Sequence, residues 1–207
     1  MVLRVGSLLA AILLVAGCAP AARESHPTPA PARGADFKPA EVRMPAITVH
    51  FTFGPGEFSE QERRSLPGEY EGAVLEGLNA RAVLARDVTL VSDRQPRVDA
   101  RAALARAREV QADHAVIVEV NVTRGPAEFC REARRAPLRA NATVWRQNLE
   151  VLRVRDGARR LALAESPALA VTDVEANCAN PSESQRRSTG DTLQRAVDKL
   201  LTRLVGA

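Results

Sequence analysis

The stretch Leu104–Val122, LARAREVQADHAVIVEVNV, carries two periodicities that meet at one turn. On its N-terminal side Ala103, Leu104, Ala107 and Val110 recur at helical spacing, which predicts a helix over Val98–Gln111 with that stripe facing inward. Ala112-Asp113 turns the chain. Ala115–Val122 then alternates, with Val116, Val118, Val120 and Val122 on one face and Ala115, Ile117, Glu119 and Asn121 on the other. A strand that is apolar on both faces at its start belongs in the middle of a sheet covered on both sides.

Working outward, Ile47–Phe53 (ITVHFTF) is a β-branched and aromatic alternating run and predicts the first strand, ended by Gly54-Pro55-Gly56. Ser59-Glu60-Gln61-Glu62 has capping-box spacing, and Pro67 suits a first helical turn, so a helix starts between 59 and 68. Its apolar stripe is Tyr70, Val74, Leu75, Leu78 and Ala82. Val88–Val91 reads as a short second strand, set apart from the next helix by the polar 92–97 segment. Downstream, Leu138–Arg155 is a long strand, Asp156-Gly157 a hairpin turn, and Arg160–Thr172 the return, interrupted at Ser166-Pro167. Asp173–Arg187 reads as a polar loop. Asp191 with Gln194 suggests a cap for a last helix striped by Leu193, Val197, Leu200, Leu201 and Leu204. The order is β-α-β-α-β-β-β-α, an α+β domain with a single mixed sheet of about five strands. Right-handed crossovers make the first three strands parallel, and the last two add antiparallel.

The N-terminus reads differently. Arg4 precedes the unbroken apolar run Leu8–Ala16, nine residues and too short for a bilayer core of ~30 Å. That length suits a secretory signal. Val15-Ala16-Gly17-Cys18 closes the run and resembles a bacterial lipobox, in which the cysteine is lipidated and becomes the mature N-terminus. Alanines at 19, 21 and 22 leave open a cut by a general signal peptidase. By the same resemblance, Ala19 in place of aspartate favours the outer membrane. Residues 19–46, with prolines at 20, 27, 29, 31, 39 and 45, read as a disordered tether between the signal (1–18) and a periplasmic domain (47–207). Such a tether spans ~30 Å as a coil and up to ~85 Å if extended.

Three cysteines are present. With Cys18 lipidated, Cys130 and Cys178 remain as a pair for which a disulfide is the default outside the cytosol, free thiols being the alternative. In the expected topology both follow strand ends at one edge of the sheet. Lysine occurs only at Lys38 and Lys199, so arginine carries nearly all the basic charge, and loss of Arg4 lowers the net charge from +4 to +3. That permits weak attraction to anionic envelope polymers. Aromatics at 3% leave no platform for stacking sugars or bases.

The signal, the proline-rich tether, the alanine-rich helix turning through Ala112-Asp113 into a valine strand, and the Leu149–Leu163 hairpin together resemble a group of envelope modules. These include the N-terminal domain of TolB, the periplasmic core of CsgG and the LpoB-type activators of peptidoglycan synthases. The resemblance covers roughly 47–205 and implies a non-catalytic accessory that binds another envelope protein, in cell-wall synthesis or transport assembly. CsgG-type pores need extra membrane-spanning hairpins, for which no strands are spare. An LptE-like accessory of lipopolysaccharide or secretion machinery is the competing resemblance, weakened by the helix over 98–111.

Catalytic signatures are missing from the sequence: no G-x-S-x-G, P-loop or G-x-G-x-x-G occurs, and His26, His50 and His114 share no ligand spacing. No cofactor, metal, nucleic acid or enzymatic reaction is expected. The expected partner edge is the one formed by loops 54–64, 92–98, 123–138 and 173–187, at the carboxyl ends of the parallel strands. It gathers Arg124, Arg131, Arg134, Arg135, Arg186 and Arg187. Trp145 either packs under a helix or anchors a partner.

Overall fold

The computed structural model describes residues 36–91, 98–130 and 137–207. Its sheet is mixed. Strand β1 (Pro45–Phe53) pairs in parallel with β2 (Asp87–Val91) on one side and with β3 (His114–Phe129) on the other. Strand β4 (Leu138–Arg153) runs antiparallel to β3, and β5 (Arg159–Leu163) and β6 (Val171–Thr172) both pair with β4. The order β2-β1-β3-β4-β5 puts the valine-rich β3 at the centre. Val116, Val118, Val120 and Val122 are fully buried on one face, and Ala115 and Ile117 are buried on the other.

Two helices cover the valine face. Helix α1 (Glu60–Ala80) starts at Ser59, whose hydroxyl accepts from the Glu62 N–H while the Glu62 carboxylate accepts from Ser59 N–H. Pro67 therefore lies inside α1 and not in its first turn; Arg63, whose carbonyl loses its helical donor, sits on the exposed side. Helix α3 (Thr189–Leu204) is capped by Ser188, three residues before the expected Asp191, which instead supplies the first-turn charge. Leu193, Val197, Leu200, Leu201 and Leu204 are all buried. The two helices approach closely at Gly77, where a side chain would collide with Leu201 Cδ1.

Beneath them Trp145 is enclosed: its ring lies 5.7 Å from Phe51 edge-on and 6.3 Å from Tyr70 in a near-parallel stack. It is core, not a partner anchor. Tyr70 Oη donates to Gln147 Oε1, and the Gln147 amide donates to the Leu169 and Ala196 carbonyls at 3.1 and 2.9 Å. One buried carboxamide thus ties α1, α3 and the 3-10 turn Pro167–Leu169 to β4. Burial drives the Tyr70 hydroxyl far above the ordinary phenol range, so it stays a donor.

On the opposite face lies helix α2 (Ala100–Glu109), capped by Asp99, with Ala103 and Ala107 packed on Ala46, Ala115, Ile117 and Leu152. Alanines let it lie close. Leu104 and Val110 pack at its margin.

Three boundaries differ from the sequence reading. The folded body begins before residue 47: Phe37 packs on the core, a 3-10 turn spans Pro39–Glu41, and Val42 is buried. Glu41 receives Arg160 there at 3.2 Å, which holds its carboxyl below the usual range. Strand β3 does not stop at Val122 but pairs with β4 through Phe129. Beyond Phe53 there is no β1 to pair with, so Pro126 stands at an open edge where its missing N–H is tolerated. Finally, Asp173–Arg187 is not a bare loop, because β7 (Val174–Glu175) and β8 (Gln185–Arg186) form a small ribbon in it. Among the described residues no helix is long and apolar enough to cross a membrane.

Candidate functional site

The arginine edge is built where the β3–β4 arm passes the start of α1. Gly56, at φ 125°, lets the chain after β1 press against the backbone of Arg124, a place no Cβ could occupy. Arg124 extends from β3 onto the valine face. Its guanidinium donates to Glu62 Oε1 at 2.7 Å, the Glu57 carbonyl at 2.9 Å and Thr143 Oγ1 at 3.1 Å, and lies 4.5 Å from the Phe58 ring. Thr143 N–H donates to Asp173 Oδ1 at 2.8 Å, and Arg186 reaches Asp173 Oδ2 at 2.7 Å and the Asn141 carbonyl. Arg187 pairs with Glu175.

The structure therefore gives Arg124, Arg186 and Arg187 partners inside the protein. Glu62, Thr143 and Asp173 join Arg124 to Arg186 in one network that holds the arm, α1 and the β7–β8 ribbon together. Cys130 and Cys178 are linked by a disulfide, S–S 2.05 Å, which closes the same assembly from the tip side. Arg131, Arg134 and Arg135, like Cys18, lie outside the described residues. Sequence reasoning took Glu62 only as a cap and placed Asp173 in a polar loop. The capping box did mark Glu62, but only the β3–β4 register shows its second oxygen meeting Arg124.

The Arg124 guanidinium, with the Ser59 N–H, lowers the Glu62 carboxyl to about 2. A carboxyl held below its unfolded value of 4.5 contributes stability that is present above pH ~4.5 and lost as pH falls toward ~2. With the pair about a quarter exposed, the contribution is about 2 kcal/mol after solvent screening. Glu62→Gln should accordingly lower stability at pH 7 by about 2 kcal/mol and by only a small fraction of that at pH 2, measured by urea unfolding at both. An equal loss at both would mean the Arg124 pair is idle.

A second feature sits on the α2 face, near the carboxyl end of β1 and at the middle of β3. At ~1.5 Å per residue the ten-residue α2 covers ~15 Å of a strand several times longer. Beyond it the face turns polar by register. His50, Glu119 and Asn148 fall in one row across β1, β3 and β4, and Thr52, Asn121 and Arg146 in the next. Asn121 Nδ2 donates to Thr52 Oγ1 at 3.0 Å, and Asn148 Nδ2 to Glu119 Oε2 at 3.2 Å. These rows line a cleft of about 420 Å³ that Glu165 borders. A second cleft of about 590 Å³ shares Arg146 and Glu165 and continues past Ser166 and Pro167. His50 is 5% exposed, and its Nε2 has no hydrogen-bond partner.

His114 lies at the other end of the sheet, beside Asp113. Its Nδ1 stands 3.2 Å from Asp113 Oδ1, within ion-pair distance but not aligned for a hydrogen bond. Burial would raise the Asp113 carboxyl, but the neighbouring imidazole and the Arg43 and Met44 N–H groups outweigh it and keep the group below its usual range. Among the described residues no cluster of three metal-binding side chains occurs.

No protein-family model matches the chain, and no curated protein sequence matches it. Its arrangement is similar to that of several solved structures. One is the PelC dodecamer from Paraburkholderia phytofirmans, at 15% identity and TM-score 0.39 over 81% of this chain and 92% of that one. Another is the hypothetical protein CT253 from Chlamydia trachomatis, at 10% and 0.42 over 78% and 96%. A third is the lipoprotein GNA1162 from Neisseria meningitidis, at 10% and 0.36 over 79% and 99%. Likenesses this distant say nothing of partner or activity.

Proposed function

We propose that the chain is a non-catalytic lipoprotein of the bacterial outer membrane whose folded body stands in the periplasm and docks another envelope protein, in cell-wall synthesis or transport assembly. The observation that carries this reading is the apolar run Leu8–Ala16 closed by Val15-Ala16-Gly17-Cys18. Several acyl chains on Cys18, at ~0.8 kcal/mol per buried methylene, would hold the protein where one chain would not. The Cys130–Cys178 disulfide is consistent with an oxidising compartment. The internal pairing of Arg124, Arg186 and Arg187 supports a scaffolding role for the inner part of the arginine edge, and the docking charges of this reading are Arg131, Arg134 and Arg135.

In-cell crosslinking followed by identification of the captured protein tests this. The wild type should yield one envelope partner, and Arg134→Glu with Arg135→Glu should lower its recovery about tenfold at unchanged protein level. Equal recovery from the reversed variant would remove the arginine edge from the docking role.

A further inference from the structure

We propose that the polar cleft beyond α2 is a binding site for a small zwitterion, an amino acid or the free ends of a short peptide. Three observations carry it. First, the cleft is made by register and not by loops: two rows of polar side chains replace the alanine and isoleucine that meet α2 lower on the same strands. It is a concave place on the sheet face, with several polar groups converging on it. Second, His50 lines it while nine-tenths buried, with Nε2 unpaired. That atom is closed to solvent, so a ligand group recovers the cost of leaving it unpaired only by the imidazole turning toward the cleft on binding. Third, the two exposed charges at its border are opposite and uncommitted. Among the described residues Arg146 makes one long hydrogen bond, 3.4 Å to Thr123 Oγ1, and no ion pair, and the Glu165 carboxylate has no partner. Both border the two adjoining clefts.

Charge complementarity selects the occupant. Among the described residues that border it, a phosphate or polyanion would find one guanidinium beside Glu165 and Glu119. A sugar would find no ring to stack on, since none of the residues bordering either cleft has a benzene or indole ring. A ligand carrying one carboxylate and one ammonium matches both borders, with the planar fork of Arg146 taking the carboxylate and Glu165 the ammonium. The carboxamides of Asn121 and Asn148, and His50 Nε2 once the ring has turned, remain for a hydroxyl or amide between them. Glu165 is held for this: at φ 50° it is a non-glycine residue in the left-handed region, fixed by its N–H donating to Asn148 Oδ1 at 2.8 Å.

The reading is independent of export and of any protein partner, so either can fail alone. Calorimetric titration of the purified full chain with L-alanyl-L-alanine tests it, alongside the N-acetylated and C-amidated forms, glucose and inorganic phosphate. The free dipeptide should bind saturably, and each capped form about tenfold more weakly. Glu165→Gln should lose about tenfold for the free dipeptide and no longer distinguish it from the acetylated form. Arg146→Gln should do the same for the amidated form. Both side chains are exposed, so both variants should melt with the parent. No saturation by the free dipeptide, equal binding of the capped forms, or tighter binding of glucose or phosphate would each overturn the proposal.

Discussion

Trp145→Ala is expected to destabilise the domain by about 3–5 kcal/mol, a large share of the stability a domain of this size possesses. The indole is wholly buried beneath α1 and α3, flanked by Phe51, Tyr70 and the Gln147 amide network. Truncation would leave a void that the two flanking rings cannot close, since Phe51 is held in β1 and Tyr70 in α1. Guanidinium unfolding followed by far-ultraviolet circular dichroism measures it, because the variant lacks the chain's one tryptophan. Trp145→Phe is the companion. It keeps a ring and removes an indole N–H that has no partner, so its loss should stay below about 1.5 kcal/mol. A loss below 1 kcal/mol for the alanine variant would place the ring at the surface.

The second large effect belongs to the disulfide. Cys130 and Cys178 are 48 residues apart, and closing a loop of that size restricts the unfolded chain by about 4 kcal/mol. Replacing both with serine should lower stability by that amount, and adding reductant to the parent should approach the same value. Hydrogen exchange would localise the consequence: amides of the β3–β4 arm beyond Val122 and of the β7–β8 ribbon should lose protection before those at the centre of β3. Unfolding that ignores reductant would mean the two sulfurs are not joined in the purified protein.

The parts legible in the sequence are those where one periodicity runs uninterrupted. The α3 stripe and the valines of β3 name their buried faces without help, and Asp156-Gly157 marks its turn, with Gly157 at φ 69°. The parallel order of the first strands followed from crossover handedness alone. Where the reading stopped short, tertiary pairing had overridden local chemistry. Thr123-Arg124-Gly125-Pro126 has the composition of a turn, yet it is strand because β4 pairs with it and Arg124 is fixed by Glu62. Pro39 and Pro45 looked like tether, but Val42 between them has a core to enter. The cleft was invisible for another reason. His50, Glu119 and Asn148 are each unremarkable in their own strands, and only the register of three strands makes them a row.

The arginines show the same limit from the electrostatic side. Six of them fall at one edge by position, but position does not reveal which already face a carboxylate. Arg124 and Arg186 do, through Glu62 and Asp173, and that spends their charge on holding the arm in place.

The central claim is that Cys18 anchors an exported body, and intact-mass spectrometry of the protein recovered from washed membranes tests it most directly. The account predicts a chain that begins at Cys18, carries acyl-chain mass on that residue and is missing Met1–Gly17. An unmodified chain beginning at Met1 in the soluble fraction would contradict it.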